Sequence, residues 1–282
     1  MSKKTICSHT LVRNEGRFLW FAVMSVINHV DRVLLWDTGS TDQTIEIINE
    51  IKRMFPKKVS VNKLGSVSPE EFTLVRQRMI DDTLEDWVII VDGDEIWWEQ
   101  GIASVVNTIG QNDSLESIVT KYINLLGDIY HYQDEQASHY RIDNYIGSIT
   151  IRAMNRRIPG LSVKKPHGTQ GFFDEDNILV QDRSPQKRIH IDEPGYLHFT
   201  HLSRAGKTAL DKAVIKRIQK YKYELGNPFS LDFYYPEVFF RPHPDIVPSP
   251  WVKRSKIYEV HAIVETLPKK LRRTFLKIPE GY

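Results

Sequence analysis

The sequence predicts an α/β protein built on a mostly parallel sheet flanked by helices, and three observations carry that prediction. Strand-like and helix-like periodicities alternate through the first 95 residues, as they do where parallel strands are joined by crossover helices. Two helix-start signatures, Ser40-Thr41-Asp42-Gln43 and Ser68-Pro69-Glu70-Glu71, sit between strand-like runs. Each places a serine hydroxyl at the cap and a Gln or Glu three residues later. Finally, the apolar run at residues 87–91 stops abruptly at Asp92-Gly93-Asp94-Glu95. A buried strand that ends in acids delivers them to the carboxyl edge of an open sheet, where such folds hold their ligands.

The elements follow in order. Residues 5–11 form a short apolar-rich strand, and Phe18, Phe21, Ala22, Ser25 and His29 then fall at helical spacing. Residues 33–36 are a second strand. A helix capped by Ser40 follows, with Ile47, Ile48, Ile51, Met54 and Phe55 as its apolar face, and Pro56 ends it. Residues 59–61 are a third strand. The helix that starts at Ser68 has proline at N1, glutamate at N3 and a buried stripe of Phe72, Val75, Met79 and Ile80. Arg76 falls inside this stripe, four residues from both Phe72 and Ile80. A cation there needs a partner, either an acid such as Asp37 or Asp92 or a nucleotide.

Residues 111–195 are less regular, with short strands at 117–123 and 148–153 and tight turns at Pro159-Gly160 and Pro194-Gly195. Long irregular loops in an α/β protein commonly hold substrate. A helix of about 20 residues is expected from Ser203 to Leu225, ended by Gly226-Asn227-Pro228. A proline-rich stretch and a basic helical segment close the chain. The expected division is a catalytic domain at 1–201 and a basic helical extension at 202–282.

Composition narrows the class. The one cysteine, Cys7, excludes an intrachain disulfide and a cysteine-based zinc site. No apolar run approaches the roughly 20 residues that span a bilayer, and the first residues lack a signal-peptide pattern, so a cytoplasmic location is expected. The formal net charge of +2 is unevenly spread. Residues 1–201 hold 22 Lys and Arg against 28 Asp and Glu, net −6; residues 202–282 hold 16 against 8, net +8. A basic region of this size is either a solvated face or a site for an anionic partner: nucleic acid, a membrane surface or an acidic protein.

The acidic turn has a direct chemical reading. Three carboxylates within four residues repel unless a cation or proton intervenes. A hard divalent ion held by oxygen ligands, with a phosphate on its far side, satisfies them. Asp37 is placed at the tip of the second strand, Gly39 allows a sharp turn, and the helix capped by Ser40 points its dipole at the cleft. Asp37-Thr38-Gly39-Ser40 also matches the aspartic-protease signature. No second copy is present, and here the motif opens a capped helix, so the context speaks against that reading. His198 and His201 add two late imidazoles compatible with Mn2+. Trp97 and Trp98 could stack on a sugar or base, or pack in the core.

Taken in order, Leu11-Val12-Arg13-Asn14-Glu15, Asp37-x-Gly39-Ser40-x-Asp42, Arg76 and Asp92-x-Asp94-Glu95 resemble the family 2 glycosyltransferases of the GT-A fold, over about the first 100 residues. The resemblance implies a GT-A-like, Rossmann-like sheet. It implies that Asp37 contacts the nucleotide base, Arg76 the nucleotide and Asp92 the ribose or sugar, with Val12, Asn14 and Glu15 around the base pocket. Asp94 would bind Mn2+ or Mg2+, with His198 and His201 as further ligands. The implied reaction moves a sugar, with inversion, from a nucleoside diphosphate sugar (a UDP-sugar favoured) to an acceptor hydroxyl. The acceptor would be a saccharide, or a modified nucleic acid held by the basic C-terminal region. Arg152-Ala153-Met154, Pro159-Gly160 and His167 correspond to later family features, but Gly168 stands where a glutamate base is expected. His167, Asp174 and Glu175 are the candidates for that base. Two other readings stay open. One is a degenerate family member acting as a binding scaffold; the other is a nucleotidyltransferase, for which Arg13-Asn14-Glu15-Gly16-Arg17 is a poor phosphate loop.

Overall fold

The computed structural model describes residues 3–202 and 222–275. Its centre is a ten-stranded sheet. Four parallel strands form one half: β1 (Ile6–Val12), β2 (Arg32–Asp37), β3 (Val59–Lys63) and β4 (Trp87–Ile90), side by side in the order β3-β2-β1-β4. Helices α1 (Leu19–Val26), α2 (Thr44–Met54) and α3 (Pro69–Asp81) are their crossovers. A mixed α/β architecture with a mostly parallel core and flanking helices is therefore what the chain adopts.

Alternation along the strands decides which helices cover which face. Ile6 and Val12 of β1, Val33 and Leu35 of β2, and Trp87 and Ile89 of β4 point into the main core with α1, α2 and α4 (Glu99–Gln111). Cys7 and Leu11, with Leu34 and Trp36, point the other way, against Val75 and Met79 of α3. Both faces are buried, which is why these strands read as continuous apolar runs.

The Ser68 forecast holds in detail. Ser68 Oγ accepts from the Glu71 backbone N–H at 3.1 Å, and the Glu71 carboxylate accepts from Ser68 N–H at 2.7 Å. The Ser40 forecast does not. α2 begins four residues later, with Gln43 at its cap and no side-chain cap bond, while Asp42 Oδ1 accepts the Thr44 N–H at 3.0 Å. Ser40 Oγ is already engaged, accepting from Asn14 N–H at 2.8 Å.

The second half of the sheet is antiparallel at its seam. β5 (Glu95–Trp97) follows the acidic turn; β6 (Ser117–Leu126), β7 (His131–Tyr132), the hairpin β8 (Tyr140–Ile142) and β9 (Tyr145–Gly147), and β10 (Ile149–Asn155) come next. β10 runs antiparallel to both β4 and β6. A small hairpin of β11 (Ser162–Lys164) and β12 (Gly171–Phe173) lies outside the sheet. β13 (Arg188–His201) then pairs parallel to β6 and antiparallel to β5.

Pro194-Gly195 is thus no turn: both residues lie inside a 14-residue strand. Register shifts at Ile191/Pro194 and Pro194/Tyr196 absorb the missing donor, as a bulge allows. Gly195 serves a second purpose, because α4 crosses it at Gly101. A Cβ on Gly101 would lie 2.5 Å from the Gly195 carbonyl oxygen. In a free helix Gly101→Ala gains about 0.5–1 kcal/mol, whereas forcing a methyl into backbone costs about 1–3 kcal/mol. The clash outweighs the gain over most of that range, so chemical denaturation of Gly101→Ala is expected to show a net loss of about 1 kcal/mol.

The helix forecast for 203–225 falls for the most part outside the described residues; within them, residues 222–226 are not helical. Asn227–Pro228, as β14, pairs with β7. Val238, Phe239 and Val247 are buried in the main core, with Phe229, Phe233, Tyr235 and Trp251 packed against it. The expected boundary at 201/202 therefore does not separate two cores among the described residues. The closing basic helix is present as α5 (Lys256–Phe275).

Candidate active site

The carboxyl ends of β1 and β4 open into a cleft of about 840 Å³. Asp92, Gly93 and Asp94 form its floor. Gly93 lets this turn press against the loop after β1, since a Cβ there would sit 2.8 Å from Val12 Cγ1 and 3.0 Å from Glu15 Cβ.

The acids are individually managed. Asp92 accepts from Arg76 Nη2 at 2.7 Å and lies 3.5 Å from Arg152 Nη1. Burial raises its pKa, but the two guanidiniums outweigh burial and hold the carboxyl below its ordinary range. Arg152 also donates to Tyr196 Oη at 3.0 Å and to Glu95. Glu95 has no exposed side-chain surface. Burial first, then the Asp92 and Asp94 charges, push its pKa up against the pull of Arg152.

Asp94 is brought to β13 by its own backbone: its carbonyl accepts the Phe199 N–H at 2.9 Å. This sets His198 Nε2 3.7 Å from Asp94 Oδ1 and 4.0 Å from Glu95 Oε1. His201 lies further along the same strand and also lines the cleft. No cage of three His, Cys, Asp or Glu ligands is formed among the described residues. A carboxylate beside an imidazole instead suits an ion that takes the rest of its shell from water or from oxygens outside the protein.

The loops after β1 and β2 are stitched together. Asn14, at φ +55°, receives Thr41 N–H on its side-chain oxygen at 2.7 Å while its own N–H reaches Ser40 Oγ. Glu15 N–H donates to Thr44 Oγ1 at 2.9 Å, and Gly16 N–H to Asp42 Oδ2 at 3.1 Å. Asp37 turns back on its own loop, accepting from Gly39 N–H at 2.9 Å and Ser40 N–H at 3.1 Å. Of the six residues expected at the nucleotide, Glu15, Arg76 and Asp92 line the cleft. Val12, Asn14 and Asp37 are not among its lining; they shape the loops behind it, while Leu11, Arg13 and Thr38 face the cleft in their place.

The three candidate bases separate. His167 lies on the rim, its ring 4.2 Å from that of Phe72 and its N–H bonded to Pro69 O at 3.1 Å. Asp174 and Glu175 do not line the cleft. Asp174 is a buried turn residue that accepts the Asp176 and Ile178 N–H groups and a guanidinium N–H of Arg183. Glu175 is exposed, and its N–H binds Pro159 O at 2.9 Å. Trp97 is fully buried core, and Trp98 spends its indole N–H on Tyr234 O. Sequence reasoning missed Tyr122, Asn124, Gln133 and Thr200 in the lining. For Tyr122, Asn124 and Thr200 the signal was present only as strand alternation in β6 and β13, and Gln133, just past β7, had none.

Fold and site together define an open-sheet α/β protein whose ligand cleft lies at the strand carboxyl ends, with acids at its floor. Residues 10–169, more than half of the chain, match the model of glycosyl transferase family 2. The chain belongs to that family. It is similar to a TPR repeat-containing protein from Synechococcus elongatus, 21% identical over 189 residues, which are 67% of this chain and 40% of that protein. The chain thus spans less than half the length of this curated relative. Among solved structures, S. aureus TarS in complex with UDP aligns at 12% identity and a TM-score of 0.44, covering 69% of this chain and 60% of that one. Glucosyl-3-phosphoglycerate synthase from Mycobacterium tuberculosis, in complex with Mn2+ and UDP-glucose, aligns at 13% identity and a TM-score of 0.39, covering 69% and 71%. No helix among the described residues is long and apolar enough to cross a membrane.

Proposed function

We propose that this chain transfers a sugar from a nucleoside diphosphate sugar, in the first instance a UDP-sugar, to a hydroxyl of a saccharide acceptor. The transfer depends on Mn2+ or Mg2+ and inverts the anomeric centre. The observation that carries this reading is the Asp92-Gly93-Asp94 turn on the cleft floor, with His198 against Asp94, in a chain of this family. Asp94 and His198, with His201 further along the strand, would hold the ion. When bound, it would neutralise charge gathering on the leaving diphosphate.

The chain's own residues do the rest. Arg76 and Arg152 keep Asp92 ionised and fixed, so it accepts hydrogen bonds from a sugar or ribose hydroxyl rather than taking up a proton. Glu15 and Thr38 line the cleft at the end where the nucleotide would sit, with the Thr38 hydroxyl donating to Val12 O at 3.0 Å. His167, the one proposed base that reaches the cleft, would accept the acceptor hydroxyl's proton. A single displacement with one base gives inversion.

Thermal denaturation tests the donor assignment. A ligand that binds only the folded state, at about 100 times its Kd, adds about 2.7 kcal/mol. That corresponds to several degrees in a chain of this size. Among UDP-, GDP-, CMP- and dTDP-sugars, one is expected to raise the melting temperature with Mn2+ and not with EDTA. Silence with every donor in both conditions would overturn the transferase reading in favour of a scaffold.

A further inference from the structure

Helix α5 has two faces of opposite character. Its inner face is tied to the body. Tyr258, Ala262 and Thr266 are buried. Tyr258 Oη donates to Lys222 O at 2.8 Å, and Thr266 Oγ1 accepts from Leu225 N–H at 2.9 Å. Arg273 grips the Glu224 carboxylate at 2.6 and 2.8 Å. The outer face carries Ile257, Val260, Ile263, Val264, Leu267 and Leu271, all between 49 and 72% exposed. Their spacing of three and four residues lines them up along one side of the helix. A row of six large apolar side chains in water is a binding surface until shown otherwise.

Charge decides what it binds. Lys253, Lys256, Lys270 and Arg272 are exposed around the stripe. The helix's two acids are both engaged: Glu259 lies 3.6 Å from Arg254 and Glu265 lies 2.7 Å from Lys269. The region from residue 202 onward carries net +8. An apolar stripe flanked by lysines and arginines is the pattern of a helix lying flat in a lipid interface, its cations reaching the headgroups. A paired helix from a second copy fits less well. With Ile257 and Val260 as the first seam positions, Lys256 and Lys270 face each other in an antiparallel pair, a parallel pair sets their row against that of His261 and Pro268 with no acid to meet, and the stripe covers only about two heptads. Nucleic acid would use the cations and leave the apolar stripe in water.

We propose that the outer face of α5 docks this protein on an anionic lipid surface. Helix α5 lies on the surface and does not span it. Through Tyr258 it is one hydrogen bond from Lys222, which lines the cleft, so docking holds the cleft close to the membrane.

The full chain is sedimented with extruded vesicles of phosphatidylcholine, with and without phosphatidylglycerol. Binding at least tenfold tighter to the anionic vesicles, weakened by raised salt, is expected. The double variant Val264→Asp/Leu267→Asp is expected to lose that binding while melting like the parent, because both side chains are exposed. Equal affinity for both vesicle types, or full binding by the double variant, would overturn the assignment. So would absence of vesicle binding, whether sedimentation velocity then shows a dimer that the double variant breaks (a second copy on this face) or a monomer (this chain covering its own stripe). The vesicle assay needs no sugar nucleotide, so its failure and that of the transferase reading are separable.

Discussion

Asp94→Asn is expected to lower sugar-transfer kcat/KM by roughly 10²–10³-fold in saturating Mn2+. The magnitude follows from what the carboxylate would do. A bound ion that offsets charge on a leaving diphosphate contributes several kcal/mol to the transition state, and each 1.36 kcal/mol is tenfold in rate. With Asp94 neutral, His198 is left as the adjacent donor, and an imidazole is a weak match for a hard ion. Stability is expected to hold or rise slightly, because the change removes one of the two negative charges, Asp92 and Asp94, that crowd buried Glu95. Steady-state kinetics across a Mn2+ titration, with melting curves alongside, decide the matter. Full activity at any Mn2+ concentration would remove Asp94 from the metal site.

Arg152→Met is expected to cost about 3–5 kcal/mol of folding stability, roughly 10 °C in melting temperature. Arg152 is the cation that Asp92 and Glu95 share, and Glu95 has no exposed side-chain surface. Removing the arginine takes the shared cation from Asp92 and from buried Glu95, whose pKa is already pushed up, so Glu95 must either stay charged and alone or take up a proton, and either way the pair is broken from its expensive side. Arg76→Met should cost less. Its partner Asp92 keeps 32% of its side-chain surface open and still has Arg152. The double change Arg152→Met/Glu95→Gln should recover much of the loss, because no unpaired charge then remains. Chemical denaturation of the three variants measures this directly. A loss below about 1 kcal/mol for Arg152→Met would mean that Glu95 is already neutral in the folded protein.

The parallel half of the fold was legible because its signals are local. Strand periodicity, the Ser68 capping box and the abrupt acids after Val91 each lie within a few residues of what they determine. Arg76 was legible as a misfit in an apolar stripe, although its partner needed the structure to choose between Asp37 and Asp92. The antiparallel half was harder to read. β13 contains Asp192, Glu193, Pro194 and Gly195, a run with turn chemistry, and only pairing to β5 and β6 makes it a strand. Asp174 is five positions short of Leu179, which lines the cleft, yet its carboxylate is captured by Arg183 and by its own turn. Distance along the chain cannot foresee such a capture. Ser40 failed as a cap for the same reason: a competing donor, Asn14 N–H, comes from another strand's loop.

The stitching between the loops after β1 and β2 has a consequence in time rather than in shape. Asn14, Glu15 and Gly16 are bound across to Ser40, Thr41, Asp42 and Thr44, so neither loop opens without breaking bonds to the other. Backbone amides at these positions should therefore exchange with solvent slowly and in concert, like the strands they extend. The half of the cleft that would take the nucleotide then stands ready before any ligand arrives. The wall that carries His167 is held in the same way: the β11–β12 hairpin is tied to α3 by Val163 N–H on Gln77 Oε1 at 2.7 Å and by the Thr73 hydroxyl on Lys165 O at 2.6 Å. A cleft held on both sides would meet its ligands with its walls already set, and the cost of ordering would fall on the ligand rather than on the protein.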